Sequence, residues 1–109
     1  VSAPQEYTDM DKNQVKAEDM DLCVRAISVG ALHKAYPMTV AVGTGAAARI
    51  PGTIVYETLK APLEGDIIRL GHSSGITDVD IKMDGEKVLK GGVTRTARRI
   101  MDGFVYIRE

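Results

Sequence analysis

Four stretches of this sequence hold residues that could do chemistry. The first is Gly71-His72-Ser73-Ser74-Gly75, two hydroxyls and an imidazole between glycines at the end of an expected strand. Ser73 and Ser74 could each donate to a carboxylate oxygen, and His72 could donate a hydrogen bond or hold the loop. An ordinary polar turn is the plainer alternative. The spacing is not that of a G-x-S-x-G nucleophile elbow, and no helix is expected to follow. The second stretch is Thr39 to Arg49, an expected helix of very small residues. Helix starts present free N–H groups and partial positive charge, which suit carboxylates and phosphates. Two registers are open here: the free amides belong either to Thr39 or to Gly43-Thr44-Gly45. A core helix selected for tight packing is the competing reading.

The third stretch is His33-Lys34, just before that helix. Lys34 could pair with an anion and His33 could act as an acid or donor, although such a pair at a surface is commonly just solvated. The fourth is Arg95 to Arg99, RTARR, whose basic side chains read most simply as a solvated strand face. Cys23, the only cysteine, falls on an apolar face and reads as a small buried hydrophobe.

The elements that must position these residues follow from periodicity and turn chemistry. Residues 1–16 are polar and read as a linker with at most a short strand. Lys16 to Val29 has helical spacing, with Met20, Cys23 or Val24, and Ile27 on one face. Thr39 is an expected N-cap for a helix over Val40 to Arg49. That helix is apolar on every side, which predicts burial on every side. Gly43 and Gly45 each cost up to about 1 kcal/mol relative to Ala in a helix interior, so close backbone approach is expected there. Short strands follow: Thr53 to Leu59, Asp66 to Leu70, Thr77 to Met83, Glu86 to Leu89, Val93 to Ile100 and Phe104 to Arg108. Asp84-Gly85 signals a hairpin, and Gly91-Gly92 a bulge or bend. The expected fold class is α+β: a curled antiparallel sheet around a central apolar helix.

The chain has 109 residues, 44% of them apolar and 27% charged, with a formal net charge of −1. This suits one soluble domain with a thin stability margin. Without a basic block, nucleic acid is not an expected partner. No apolar run approaches the roughly 20 residues that span a bilayer, so no membrane association is expected. A single cysteine cannot form an internal disulfide or a multi-cysteine zinc site, and a reducing cytoplasm is the expected setting. No metal ligand set is seen.

Four motifs in register carry a resemblance: Leu32–Tyr36 (LHKAY), Ala46–Thr53 (AAARIPGT), Gly71–Gly75 (GHSSG) and Arg95–Gly103 (RTARRIMDG). Together they resemble the C-terminal region of the methylaconitate isomerase family, a bacterial branch of the diaminopimelate epimerase-like fold. Its members include methylaconitate cis-trans isomerase, methylitaconate Δ-isomerase and oxalomesaconate tautomerase. The likeness runs from about Pro4 to Arg108. It implies a two-domain enzyme roughly three times longer, with the substrate in the cleft between domains and no metal or organic cofactor. The proton-transferring lysine and cysteine would lie in the N-terminal domain, so no catalytic residue is expected in this chain. Residues 1–109 would form one domain, the C-terminal half.

By the resemblance, Thr39, Ser73, Ser74, His33 and Lys34 would line a carboxylate pocket, with Gly43, Thr44, Gly45, His72 and Gly75 as further substrate-binding candidates. Two departures stand out. Val42 occupies the place before Gly-Thr-Gly where epimerase relatives carry a cysteine, so two-cysteine racemisation is not expected. GHSSG replaces the family's GHPSG. The implied reaction shifts or isomerises a C=C bond in a small unsaturated polycarboxylic acid. Expected partners are that acid, an N-terminal domain or partner chain, and a further copy of this chain. A stand-alone acid-binding domain and one chain of a split isomerase are the alternatives.

Overall fold

Residues 1–108 are described by a computed structural model. Eight strands and two helices form an α+β arrangement. A short hairpin, β1 (Tyr7–Thr8) and β2 (Gln14–Val15), opens the chain. Asp9 closes its loop: Oδ1 accepts the N–H groups of Asp11 and Asn13, and Oδ2 accepts from the Asn13 side chain. These bonds, chiefly the one from the Asn13 amide, hold the Asp9 carboxyl below its ordinary pKa. Residues 1–16 are thus folded against the body and are more than a linker. Ser2 bridges to Cys23 through backbone bonds, and Val15 and Tyr7 pack with Met20 and Cys23 in a small second core.

The helix expected over Lys16 to Val29 does not form. A short 3-10 turn at Ala17–Asp19 leads into β3 (Leu22–Cys23), then a hairpin of β4 (Ile27–Ser28) and β5 (Ala31–Leu32). Tertiary pairing overrides the local period here. Leu22, Cys23 and Val24 are buried in succession, which a helix face cannot achieve. The carboxylate of Asp21 receives the backbone N–H, Nε and Nη2 of Arg69. Cys23 is buried as expected, on a strand.

Helix α1 (Met38–Ala47) begins two residues earlier than expected, with Pro37 and not Thr39 as its N-cap. Helix α2 (Ile54–Thr58) replaces the strand expected over Thr53 to Leu59. Thr53 decides this by capping: its Oγ1 accepts the N–H of Tyr56 and donates to the carbonyl of Ala47.

The main sheet is β6 (Ile67–His72), β7 (Gly75–Asp84) and β8 (Lys87–Val93), with β3 added outside β6, in the order β3-β6-β7-β8. β6, β7 and β8 are antiparallel, but β3 runs parallel to β6, so the sheet is mixed. Gly85, with φ of 59°, opens the two-residue turn into β8. Glycine at the first central position is what a type II′ hairpin turn demands. The bulge falls at Leu89: Met83 pairs with Val88 and Lys82 with Lys90. It is not at Gly91-Gly92, and Gly91 serves another purpose. A Cβ there would lie 2.6 Å from Val42 Cγ1, so the missing side chain lets α1 cross β8. Beyond Val93, residues 94–108 form no regular element, in contrast to the two strands expected there. This segment stretches the molecule to a radius of gyration of 16.9 Å, against about 13 Å for a compact domain of this length.

The main core joins Leu22 and Val24, Ala41 and Ala48 of the helical layer, and Ile68, Leu70, Val79 and Ile81 of the sheet. Only one face of α1 enters it. Ala41, Thr44 and Gly45 are buried, whereas Thr39, Val40 and Gly43 are exposed. The expected burial of this helix on all sides is therefore not met within the described residues.

Candidate functional site

The GHSSG stretch is the hairpin between β6 and β7. His72 and Gly75 pair across it, and Ser73-Ser74 form its two-residue tip. Gly75 takes φ of 111°, which a side chain would oppose. His72 is buried and both of its nitrogens are engaged. Nδ1 lies 3.2 Å from the N–H of Ser74, which can only donate. The ring proton therefore sits on Nε2, which donates to Thr77 Oγ1 at 2.8 Å. Burial lowers the His72 pKa, and the positive charge of Arg25 and the nearby His33 lower it further. The imidazole is held neutral, the form that can accept from Ser74.

The tip is clamped by the N-terminal hairpin. Tyr7 Oη lies 2.7 Å from the carbonyl of His72 and 3.0 Å from that of Gly75. The N–H of Met10 donates to the Ser73 carbonyl at 2.8 Å. Arg25 stacks on the Tyr7 ring, 4.5 Å from its centroid, and its Nη1 donates to the carbonyls of Val24 (2.7 Å) and Gly71 (3.3 Å). Neither Tyr7 nor Arg25 stood out in the sequence. The first lay in an apparent linker and the second within an expected helix, outside its apolar face.

Ser73 is 7% exposed, and its Oγ is buried with no partner among the described residues. An unpaired buried hydroxyl costs roughly 1–3 kcal/mol. Ser74 is exposed, and its Oγ donates to the Lys34 carbonyl. That bond joins the tip to the His33-Lys34 connection, where His33 Nδ1 accepts the N–H of Ala35. Four residues beyond Lys34, α1 begins. Its first intrahelical bond of the backbone runs from Ala41 N–H to the Pro37 carbonyl, and no side chain caps this end. The N–H groups of Met38, Thr39 and Val40 therefore have no intrahelical acceptor.

Gly43, Thr44 and Gly45 are not brought to this end as free amides, because they lie inside α1. Thr44 Oγ1 bonds Tyr36 Oη at 2.9 Å on the buried face. A Cβ on Gly45 would meet Val79 and Ile81 at 3.1 Å and Ile68 at 3.2 Å. These two residues do packing work, and Gly43 faces open space. Arg95 to Arg99 are exposed and in no strand. A concavity of about 690 Å3 around Met20, Leu59, Pro62 and Arg69 contains none of these candidates. Its two basic side chains are internally occupied: Arg69 by Asp21, and Lys60 by the Pro4 carbonyl. Among the described residues no group of three or more His, Cys, Asp or Glu could hold a metal ion, and no helix is long and apolar enough to cross a membrane.

The PrpF protein family model matches residues 1–108. The chain belongs to the PrpF family. It is 43% identical to a 3-methylitaconate isomerase of Eubacterium barkeri, over all of this chain and 29% of that protein. It is 41% identical to a 2-methyl-aconitate isomerase of Shewanella oneidensis, over 98% of this chain and 28% of that one. The crystal structure of a methylitaconate-delta-isomerase superposes with a TM-score of 0.83 at 41% identity, covering 96% of this chain and 27% of its own. This PrpF chain thus spans under a third of the length of the curated relatives it matches. The resemblance read from the four sequence motifs and the family match agree.

Proposed function

We propose that this PrpF chain is the C-terminal part of an isomerase that shifts or isomerises a C=C bond in a small unsaturated polycarboxylic acid, and that it holds the acid's carboxylates. The observation that carries this reading is the β6–β7 tip. It offers the partnerless buried hydroxyl of Ser73 next to Ser74, whose hydroxyl is bonded to the Lys34 carbonyl four residues before the uncapped start of α1, and the positive charge of Arg25 is close enough to lower the His72 pKa. The reaction would remove a proton from a carbon next to a carboxylate or C=C–COOH unit. Negative charge then spreads onto the carboxylate, where fixed hydroxyls and amides stabilise it.

The base belongs to residues outside this chain. His72 has both nitrogens engaged and Cys23 is buried, so neither is placed to move a proton. The 109-residue chain alone is expected to be inactive; robust isomerisation by it would overturn this assignment. In the complete protein, the open face of α1 and the apolar residues Phe104 to Ile107, each at least 89% exposed, would be covered by the N-terminal domain. That cover would complete a sheet curled around the helix.

An NMR titration of the labelled protein with trans-aconitate, against a monocarboxylate control, tests the site. Saturable shifts at Met38–Val40 and Ser73–Gly75 support it. No shift at millimolar ligand in the complete protein refutes it.

A further inference from the structure

We infer that Arg25 is a carboxylate-binding residue of this site, gripping a second carboxylate of the acid whose first lies at the Ser73-Ser74 tip; the inference rests on the function proposed above. Arg25 is exposed as a residue, yet its guanidinium is fixed. Nη1 is pinned to the carbonyls of Val24 and Gly71, and the plane lies over the Tyr7 ring. Its Nε and Nη2 have no partner among the described residues, and no carboxylate pairs with it there. These two nitrogens form the edge of a guanidinium that takes a carboxylate bidentately.

The charge of Arg69 is met by Asp21, whereas no carboxylate meets Arg25 among the described residues. Arg25 instead adds positive charge beside a histidine that is kept neutral. A cation already held in one orientation loses less entropy on binding than a free surface arginine. The distance suits a small acid. Gly71, whose carbonyl holds Nη1, lies two residues before Ser73, a span of at most about 7 Å for a fully extended chain. Carboxylates a few carbons apart on one molecule can reach from the tip to the arginine.

The test is a ligand–residue cycle by calorimetry on the complete isomerase, using the non-isomerisable probe propane-1,2,3-tricarboxylate. Succinate and glutarate each lack one of its carboxylates. Arg25→Gln is expected to weaken the tricarboxylate about 10–100-fold, the size of one lost charge-assisted contact. It should weaken at least one of the two dicarboxylates by much less, because the carboxylate that Arg25 holds is missing from it. Arg25→Lys, which keeps the charge and loses the fork, should fall between. A uniform loss across all three acids, accompanied by a lowered melting temperature, would make Arg25 structural only and overturn the inference. So would affinities equal to wild type. If Arg25→Gln fails to fold, Arg25→Lys carries the same comparison. Failure of the wild-type protein to bind any of the acids would instead sink the proposed function itself.

Discussion

Gly43 and Gly45 lie two residues apart in α1, and replacing each with alanine separates packing from propensity. Both changes bring the same gain in helix propensity, about 1 kcal/mol relative to Gly. At Gly43 nothing lies within 4 Å of the added Cβ. Gly43→Ala should therefore stabilise the 109-residue chain by about 0.5–1 kcal/mol. At Gly45 the Cβ meets Ile81 Cγ1 and Val79 Cγ1 at 3.1 Å and Ile68 Cγ2 at 3.2 Å. All three side chains are fully buried and β-branched, on two paired strands, so none can swing aside at χ1. Overpacking of this kind costs about 1–3 kcal/mol. Gly45→Ala should then range from neutral to about 2 kcal/mol destabilising after the propensity gain is subtracted. The difference between the two variants is the packing term alone, about 1–3 kcal/mol. Urea denaturation of both variants, with equal m-values, measures it. Equal stabilisation by the two substitutions would mean that α1 does not approach the sheet at Gly45, and would refute the reasoning.

Other expectations are simpler to state. Gly91→Ala should destabilise by about 1–3 kcal/mol, and Val42→Ala should rescue part of that loss in a double-mutant cycle on urea midpoints. Thr53→Ala removes the α2 cap and should cost about 1 kcal/mol in the same assay. His72 has a folded pKa below its ordinary 6.5, so the unfolded chain binds protons more readily. Stability from the neutral ring is then complete above about 6.5 and is lost as pH falls through that value toward the lowered folded pKa. His72→Gln should flatten this part of a stability–pH curve, and an unchanged slope would reassign it. The exposed apolar run from Phe104 to Ile107 should make the isolated chain self-associate; sedimentation showing only monomer at high concentration would count against it.

The candidate tip was legible in the sequence because its signals are local. A strand pattern ends in glycines that bracket hydroxyls, and that pattern survives whatever packs around it. The β7 strand was legible for the same reason, since Val79 and Ile81 alternate against Asp78 and Asp80 and one face is buried. The α1 helix was recognised to within two residues, but its cap was misplaced. Thr39 is a good capping type, yet Pro37 already has the extended backbone before the first turn and cannot continue a helix behind it. The Met20 to Ile27 period looked helical because apolar residues three and four apart fit either element when strands are short. Pairing of Leu22 with Leu70 and Cys23 with Gly71 decided the matter, and no local signal records a partner strand nearly fifty residues away. The same holds for Tyr7 and Arg25. Their residue types are unremarkable until the fold carries them to the carbonyls of Gly71, His72 and Gly75. Sequence determined which groups were candidates for a site and which family the chain belongs to. Tertiary structure alone decided which glycines serve packing, which amides are free, and what holds the tip in place, because each depends on contacts between segments distant in the chain.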